Sequence, residues 1–401
     1  MKKIIPIDNA EIGMYLVEIV ESEKKLQVKS QGLIKSSATI ENLKQRHVKS
    51  IAIDLDKSMH FNSNSGDTSQ SAGDSKSSSK TFHSKTLSFE EQQEQLAKAD
   101  KLYTQARDVQ SRFVKALRSG DAPDFHQLNT SCQDIIDSVF EKEDALSALI
   151  MLQDTNDYLV EHSLNCAILM SLFAKHQELS QSEIEDLTYA GLLMDIGMSV
   201  LPSELTSRSD TFSASDKLVV QTHVDIGIEL AERHTDLAPT IIDVIQNHHE
   251  RINGGGYPKQ KTAESLSVYA QMAGIVDTYD AMISERPYRF SKCAQDVLEE
   301  MLGSPEFDSE LVESFIKAMG LYPVGSLVTL QSGKLGIVIQ KNRRHPLKPN
   351  VITFYSIRNK CHTEVKLVVL SKVNDKIIGA VRPEEFDINL PKFFKSVVLQ
   401  A

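Results

Sequence analysis

The sequence predicts a mainly α, multidomain protein: a helical domain set between a small N-terminal α+β or strand-rich domain and a short C-terminal β module. Three observations carry this. Apolar residues recur at three- and four-residue spacing from Leu96 to Leu117 and again from Pro123 to Leu321, the period of helices buried along one face. At both ends of the chain the period switches to two, as in strands. Between the first strands and the first helix, residues 62–80 contain no Val, Ile, Leu, Met, Phe or Tyr.

Residues 1–57 form the strand-rich accessory domain, with short alternating runs such as Gly13-Met14-Tyr15-Leu16-Val17 and Lys49-Ser50-Ile51-Ala52-Ile53 and one helix over Ile40 to Arg46. Residues 58–88 read as a disordered Ser-rich linker, because so few apolar side chains cannot offset the entropy of ordering. A connecting helix spans 89–122, with Leu96, Ala99, Leu102, Tyr103, Ala106, Val109, Phe113 and Leu117 on one stripe. It serves either as a dimerising or signalling helix or as a cover for the domain that follows. The helical domain occupies 123–321, with apolar stripes in Leu146 to His176, Ile241 to His249 and Val268 to Ser284, and Ser180-x-x-Glu183 as a capping box. After Tyr322-Pro323-Val324-Gly325 the runs Leu327 to Leu330, Leu335 to Ile339, Val351 to Phe354 and Val365 to Leu370 make a β-rich extension over 322–401.

Composition sets the outer limits. The 401 residues carry 44 Lys+Arg against 55 Asp+Glu, for a formal charge of −11, and are 41% hydrophobic. That is enough for packed cores, while the acidic balance argues against DNA as a partner. The longest apolar stretch, Ser163 to Ala174, is short of the roughly 20 residues of a membrane span and is closed by Lys175. Met1-Lys2-Lys3 followed only by Ile4 and Ile5 before Pro6 does not read as a signal peptide. The expectation is a cytoplasmic protein. Cys132, Cys166, Cys293 and Cys361 lie far apart without a C-x-x-C pair, so they read as reduced and structural.

Within the helical domain, His162, Asp195, His223, His248, His249 and Asp277 spread over about 115 positions. Five or six N and O donors without a thiolate suit a pair of Fe or Mn ions bridged by a carboxylate. Taken singly, each is weak evidence, and a solvated or core histidine is the plainer reading of any one of them. The joined string His248-His249-Glu250-Arg251-Ile252-Asn253-Gly254-Gly255-Gly256-Tyr257-Pro258 is more informative.

Here the sequence resembles the HD-GYP family of HD metal-dependent phosphohydrolases, whose H-H-E-x-x-D-G-x-G-Y-P follows an earlier H-D-x-G-K. The rest of the order is present: Tyr158 and Glu161-His162-Ser163, then Met194-Asp195-Ile196-Gly197-Met198, His223 before Gly227, Asp277-Thr278-Tyr279-Asp280-Ala281, and Arg286-Pro287-Tyr288-Arg289. Residues 1–56 also look like a small domain of unknown function often found ahead of HD-GYP domains. The resemblance implies hydrolysis of cyclic di-GMP, or a related cyclic dinucleotide, to linear or mononucleotide products. By analogy Asp195 bridges two metals, with His162 and Asp277 on one and His223, His248 and His249 on the other, and Asp195 is the catalytic residue. Arg286 and Arg289 match the basic pair that contacts substrate phosphates, Tyr257 joins them at the substrate, and the Gly-Tyr-Pro turn is a surface for a protein partner. The glycines of that turn allow positive φ and close approach, and Asn253 replaces the usual Asp mildly, since both suit tight turns.

Two departures are not mild. Met194 stands where the family has His, and a thioether is a poor ligand for a hard Fe or Mn ion. Met198 stands where the family has Lys, removing a cation near the phosphate; losing one transition-state donor costs roughly 2.7 to 4 kcal/mol in other enzymes. Three readings follow: a phosphodiesterase impaired at one metal, with both ions or only one retained; a catalytically inactive HD-GYP module acting as a nucleotide-binding or protein-interaction effector; and a pure scaffold, against which the six surviving ligand-type residues argue. The long helix permits a homodimer.

Overall fold

The computed structural model describes residues 2–7, 15–22, 32–33, 44, 48–54, 89–151, 157–206, 212–233, 237–284, 291–386 and 388–394. The expected linker over 58–88, and the helix over Ile40 to Arg46 apart from Lys44, lie outside the described residues. The chain divides into two compact units, residues 1–83 and 84–401.

In the first unit, β1 (Lys2–Pro6), β2 (Tyr15–Ser22), β3 (Gly32–Leu33) and β4 (Val48–Asp54) make an antiparallel sheet in the order β1-β4-β2-β3. The central strand β4 sets the register, with Ile4 opposite Ala52 and Ile5 opposite Ile51. Ile7, Val48, Ile51 and Ala52 are buried.

The second unit is mainly helical, as its sequence period requires. It opens with α1 (Phe89–Ser119) and α2 (Phe125–Ile150). Leu96, Ala99, Tyr103, Ala106, Phe113 and Leu117, the stripe read from the sequence, are buried in the unit's own core. The apolar face of α1 is therefore used within the chain, as a cover for the helices that follow. Asp124 caps α2 by accepting from the Gln127 amide at 2.9 Å; Lys142 breaks the helix with φ −151° and ψ 82°.

Next come α3 (Tyr158–His176) and α4 (Gln181–Leu193). Every residue of α3 from Val160 to Ala174 is buried, so it lacks a polar face because neighbours surround it, as expected of a central helix. Among the described residues no helix is long and apolar enough to cross a membrane. The capping box at α4 forms: Ser180 Oγ accepts from the Glu183 amide at 3.4 Å, and Glu183 Oε2 accepts from the Ser180 amide at 2.8 Å.

A 3-10 turn, Ile196–Val200, leads to α5 (Ser203–Thr206), α6 (Ala214–Gln221), α7 (His223–Glu232), α8 (Pro239–Asn247), α9 (Val268–Ile283), α10 (Ala294–Leu302) and α11 (Ser309–Met319). The period read through His249 stops at Asn247. There the chain turns, Asn247 accepting from the Glu250 amide at 2.9 Å, so His248 and His249 lie on a turn and not on the helix.

The C-terminal module is an antiparallel sheet of β5 (Leu327–Leu330), β6 (Lys334–Gln340), β7 (Asn350–Ser356), β8 (Cys361–Val369) and β9 (Ile377–Ala380), in the order β8-β7-β6-β5-β9. A short helix, α12 (Leu390–Phe394), packs Phe393 on Phe354 with ring centroids 4.1 Å apart. All four cysteines are free; Cys132 and Cys166 are buried as structural residues are, whereas Cys361 is exposed.

Candidate metal centre

The site lies where α3, the turn after α4, the start of α7, the turn after α8, and α9 converge. His162 is one turn into α3, Asp195 precedes the 3-10 turn, His223 begins α7, and Asp277 is on α9. The turn after Asp195 approaches α7 so closely that a Cβ on Gly197 would stand 1.9 Å from the His223 carbonyl oxygen. Only glycine allows that approach, and it brings Asp195 beside His223.

The turn carrying His248 and His249 is held from several sides. Arg251 donates to the carbonyls of His248 at 3.0 Å and Glu250 at 2.8 Å, and reaches Thr278 on α9 at 3.0 Å. Buried Glu250 accepts from the amides of Lys259 at 2.6 Å and Lys261 at 2.9 Å, closing the glycine loop. Within that loop Gly254 has φ +76°, and a Cβ on Gly256 would lie 2.5 Å from backbone atoms of His249, Glu250 and Arg251. Asn253 Oδ1 accepts from the Gly255 amide at 2.9 Å, the local turn its side chain favours.

Six predicted donors meet in one cluster, all buried but the partly exposed His249. His162 Nε2 is 3.2 Å from Asp195 Oδ2 and 3.1 Å from Asp277 Oδ1. On the other side, His223 Nε2 is 3.3 Å and His248 Nε2 3.6 Å from Asp195 Oδ1, and His249 Nδ1 is 3.4 Å from Asp277 Oδ2. Two donor groups result, His162 with Asp195 and Asp277, and Asp195 with His223, His248 and His249.

The hydrogen bonds of the rings decide where their remaining lone pairs point. His223 Nδ1 donates to the Val220 carbonyl at 2.7 Å, and His248 Nδ1 to the Ile245 carbonyl at 3.0 Å. Carbonyls only accept, so in the neutral rings both Nε2 atoms are lone pairs. These stand 3.5 Å apart and face the same carboxylate oxygen. Such a convergence of lone pairs is repulsive unless a proton or a cation lies between them, and N and O donors so arranged fit a metal ion. His162 is oriented likewise: its Nδ1 donates to buried Asp280 at 2.6 Å, leaving Nε2 for a metal.

Protonation in the metal-free chain reflects the same proximity: against the effect of burial, the anionic neighbours raise His162 well above, and His223 above, the ordinary imidazole value, so that a proton takes the place a cation would fill. Burial opposes ionisation of Asp195, but where no cation is present the Nε2 atoms of its imidazoles can carry protons, and hydrogen bonds from His162, His223 and His248 then hold its carboxyl well below the usual carboxylate range. Burial likewise opposes Asp277, which the imidazoles beside it, His162 by hydrogen bond among them, hold well below the usual carboxylate range. Burial, and the crowding of histidines around it, push His249 well below the ordinary imidazole value. Metal ligation requires anionic carboxylates and neutral imidazoles, so an ion that enters releases the protons held on His162 and His223.

The remaining predicted residues are placed as follows. Tyr257 stacks on His249 at 4.6 Å between centroids and stands edge-on to His223 at 6.4 Å. Met194 is 0% exposed in the core, and Met198 is half-buried on the 3-10 turn. Arg286 and Arg289 lie outside the described residues. Sequence reasoning missed Asp280, Asn165 and Tyr103, which stand behind His162. The spacing of Asp277 and Asp280, three apart on one helix, was the available signal for Asp280; Tyr103 carried none beyond its place on an apolar stripe.

Residues 147–311 match the HD domain family, and residues 2–128 match a domain of unknown function, DUF3391. The second match runs past the N-terminal sheet, through α1 and into α2. A cyclic di-GMP phosphodiesterase of Pseudomonas aeruginosa is 28% identical over 391 residues, which cover 94% of this chain and 92% of that protein. A 3'3'-cGAMP-specific phosphodiesterase of Vibrio cholerae is 24% identical over 168 residues, 41% of this chain and 31% of that protein. Among solved structures, an HDG"Y"P protein from Bdellovibrio bacteriovorus aligns at a TM-score of 0.46 and 15% identity, over 79% of this chain and 98% of that one.

Proposed function

Because the chain is an HD-GYP domain protein with an N-terminal domain of unknown function, we propose that it is a metal-dependent phosphodiesterase that hydrolyses cyclic di-GMP, or a related cyclic dinucleotide, to linear or mononucleotide products. The observation that carries the reading is buried Asp195, set between two groups of N and O donors. A relative matched over nearly its whole length and named for that activity supports the substrate class.

Two divalent ions, Fe or Mn, suit the two groups: His162, Asp195 and Asp277 for one, and Asp195, His223, His248 and His249 for the other. A bound ion supplies Lewis-acid polarisation of a phosphoryl oxygen and makes a nearby water acidic. The chain's own residues supply the rest. Asp195 brings negative charge to both groups, Asp280 keeps the proton of His162 on Nδ1, and the rings of His223 and His248 are held by carbonyls. Tyr257 presents an aromatic face beside His249 against which a base can stack. Arg286 and Arg289 take the phosphates, since a planar guanidinium fork matches them. The Tyr257-Pro258 turn is the surface we assign to a protein partner, and a homodimer belongs to the same proposal.

A second reading, a catalytically inactive module that binds the nucleotide or a partner, is favoured by Met194. This side chain is fully buried where the family carries an imidazole, so the His162 group has one ligand fewer. The deciding experiment is anaerobic hydrolysis of cyclic di-GMP by protein loaded with Fe(II) or Mn(II), followed chromatographically with Asp195→Ala as the blank. Turnover abolished in the blank is expected of the phosphodiesterase. Wild type that binds metal and nucleotide without turnover establishes the second reading.

A further inference from the structure

Behind His162 the buried polar groups form a line that ends on α1, outside the metal centre. Asp280 accepts from His162 Nδ1 on one oxygen at 2.6 Å and from Asn165 Nδ2 on the other at 2.9 Å. With its amide nitrogen committed to Asp280, Asn165 directs its carbonyl oxygen at Tyr103, whose hydroxyl donates to it at 3.0 Å and shares its hydrogen with Glu161 Oε2 at 2.7 Å. Tyr103, Asn165 and Asp280 are 4%, 3% and 0% exposed, so water does not substitute for a missing member. Further along the same helix, Arg107 stands 3.5 Å from Glu161 Oε1, and Gln110 donates to the Leu192 carbonyl at 3.1 Å, three residues ahead of Asp195. One helix thus grips both the helix bearing His162 and the one that leads to Asp195.

The orientation and basicity of a ligating imidazole depend on what its second nitrogen bonds, and that partner must itself be held. A buried carboxylate needs both oxygens satisfied. Asn165 meets that need only with its nitrogen toward Asp280; flipped, it would set oxygen against oxygen. A donor on its far side selects the right orientation, and among the described residues Tyr103 is that donor.

We propose that Tyr103 is a positioning residue of the metal centre: through Asn165 and Asp280 its hydroxyl fixes His162, so α1 sets how tightly the His162 side of the site holds its ion. The inference rests on the metal-dependent reading above.

The test is Mn(II) binding to the full chain, stripped with a chelator and titrated anaerobically by calorimetry and electron paramagnetic resonance. Wild type is expected to bind. Tyr103→Phe, which keeps the ring and removes one oxygen, weakens the weaker class of Mn(II) site by about tenfold, the lower end for partners behind a ligand. Asn165→Leu produces a similar loss, and the double variant is no weaker than Asn165→Leu alone, because both cut one line. Tyr189→Phe, which loses a hydroxyl bond to the Phe125 carbonyl at 3.2 Å, leaves Mn(II) affinity unchanged. Unaltered affinity in a folded Tyr103→Phe, or losses that add in the double variant, overturns the inference and leaves the proposed function standing. If Tyr103→Phe does not fold, wild-type affinity in Asn165→Leu overturns it instead. Wild type that binds no Mn(II) overturns the metal-dependent reading and the inference with it.

Discussion

A glycine carries the closest contact at the site. With 1.9 Å between a notional Cβ of Gly197 and the His223 carbonyl, Gly197→Ala must push the Asp195 turn away from α7. The expected cost is about 3 kcal/mol, the upper end for overpacking, with loss of Mn(II) affinity as His223 moves off Asp195. Urea unfolding and metal titration check the two parts separately. Met194 and Met198 make the opposite prediction. If the defect is local, Met194→His with Met198→Lys restores an imidazole and a cation and raises turnover about a hundredfold, on the scale of one transition-state donor. Intact folding with no gain in turnover would show that the site differs in more than these two side chains.

At the scale of elements, the site depends on helix ends. Asp195, His223, His248 and His249 all lie at or just beyond a helix terminus, where backbone direction changes and side chains from several helices can converge. The start of α4 shows how firmly such an end is anchored. Besides its reciprocal bonds with Ser180, Glu183 accepts from the Tyr269 hydroxyl on α9. The hydrogen bonds of Ser180 and Tyr269 hold the Glu183 carboxyl down at about 2. Ser180→Ala is expected to cost about 1 kcal/mol, as loss of an N-cap does, whereas Glu183→Ala frees the α4 terminus from α9 as well and lowers the thermal midpoint further. Equal midpoints for the two variants would refute a role for the Tyr269 link.

At the scale of the whole second unit, the helical part and the β module meet across charge. After the break at Lys142, Glu143 faces Arg343 at 2.7 Å, and Lys341 and Lys175 each at 3.4 Å. Burial alone would raise Glu143, but Lys341, Arg343 and Lys175 bring its carboxyl from 4.5 down to about 2. Beside it, burial lifts Asp144 to about 6 against the pull of Lys341. The signs differ. A carboxyl depressed by folding contributes stability that is fully present above the unfolded value and disappears as pH falls through the folded one. Glu143 therefore contributes up to about 3 kcal/mol above pH 4.5, all of it lost toward pH 2. Asp144 costs stability above pH 6 and ceases to do so in acid. Urea unfolding of metal-free wild type against Glu143→Gln should show a gap that is constant from pH 7 to 5 and closes by pH 2. A gap that persists in acid would exclude the ion cluster as its source.

The sequence by itself determined the order of elements, the helical middle between two β units, and the six His and Asp residues that the fold gathers into one cluster. These depend on neighbours along the chain: a period of three to four or of two, a Ser-x-x-Glu cap, a His-His-Glu turn ending in glycines. Even there, the period could not show that α8 stops before His248, since the turn is held by Arg251 reaching Thr278, 27 positions away. Nor could it choose between a dimerising and a covering role for α1, because a stripe of apolar side chains is the same in both. Tertiary structure alone decided which oxygen each imidazole faces, that Asp280 and Asn165 stand behind His162, and that Tyr103, 58 and 62 positions before Glu161 and Asn165 in a mixed order of partners, reaches them at all. The physical reason is that local pattern is set by torsions and side-chain spacing, whereas a hydrogen bond between distant residues exists only once packed helices have fixed their crossing and left those polar groups no water to bind instead.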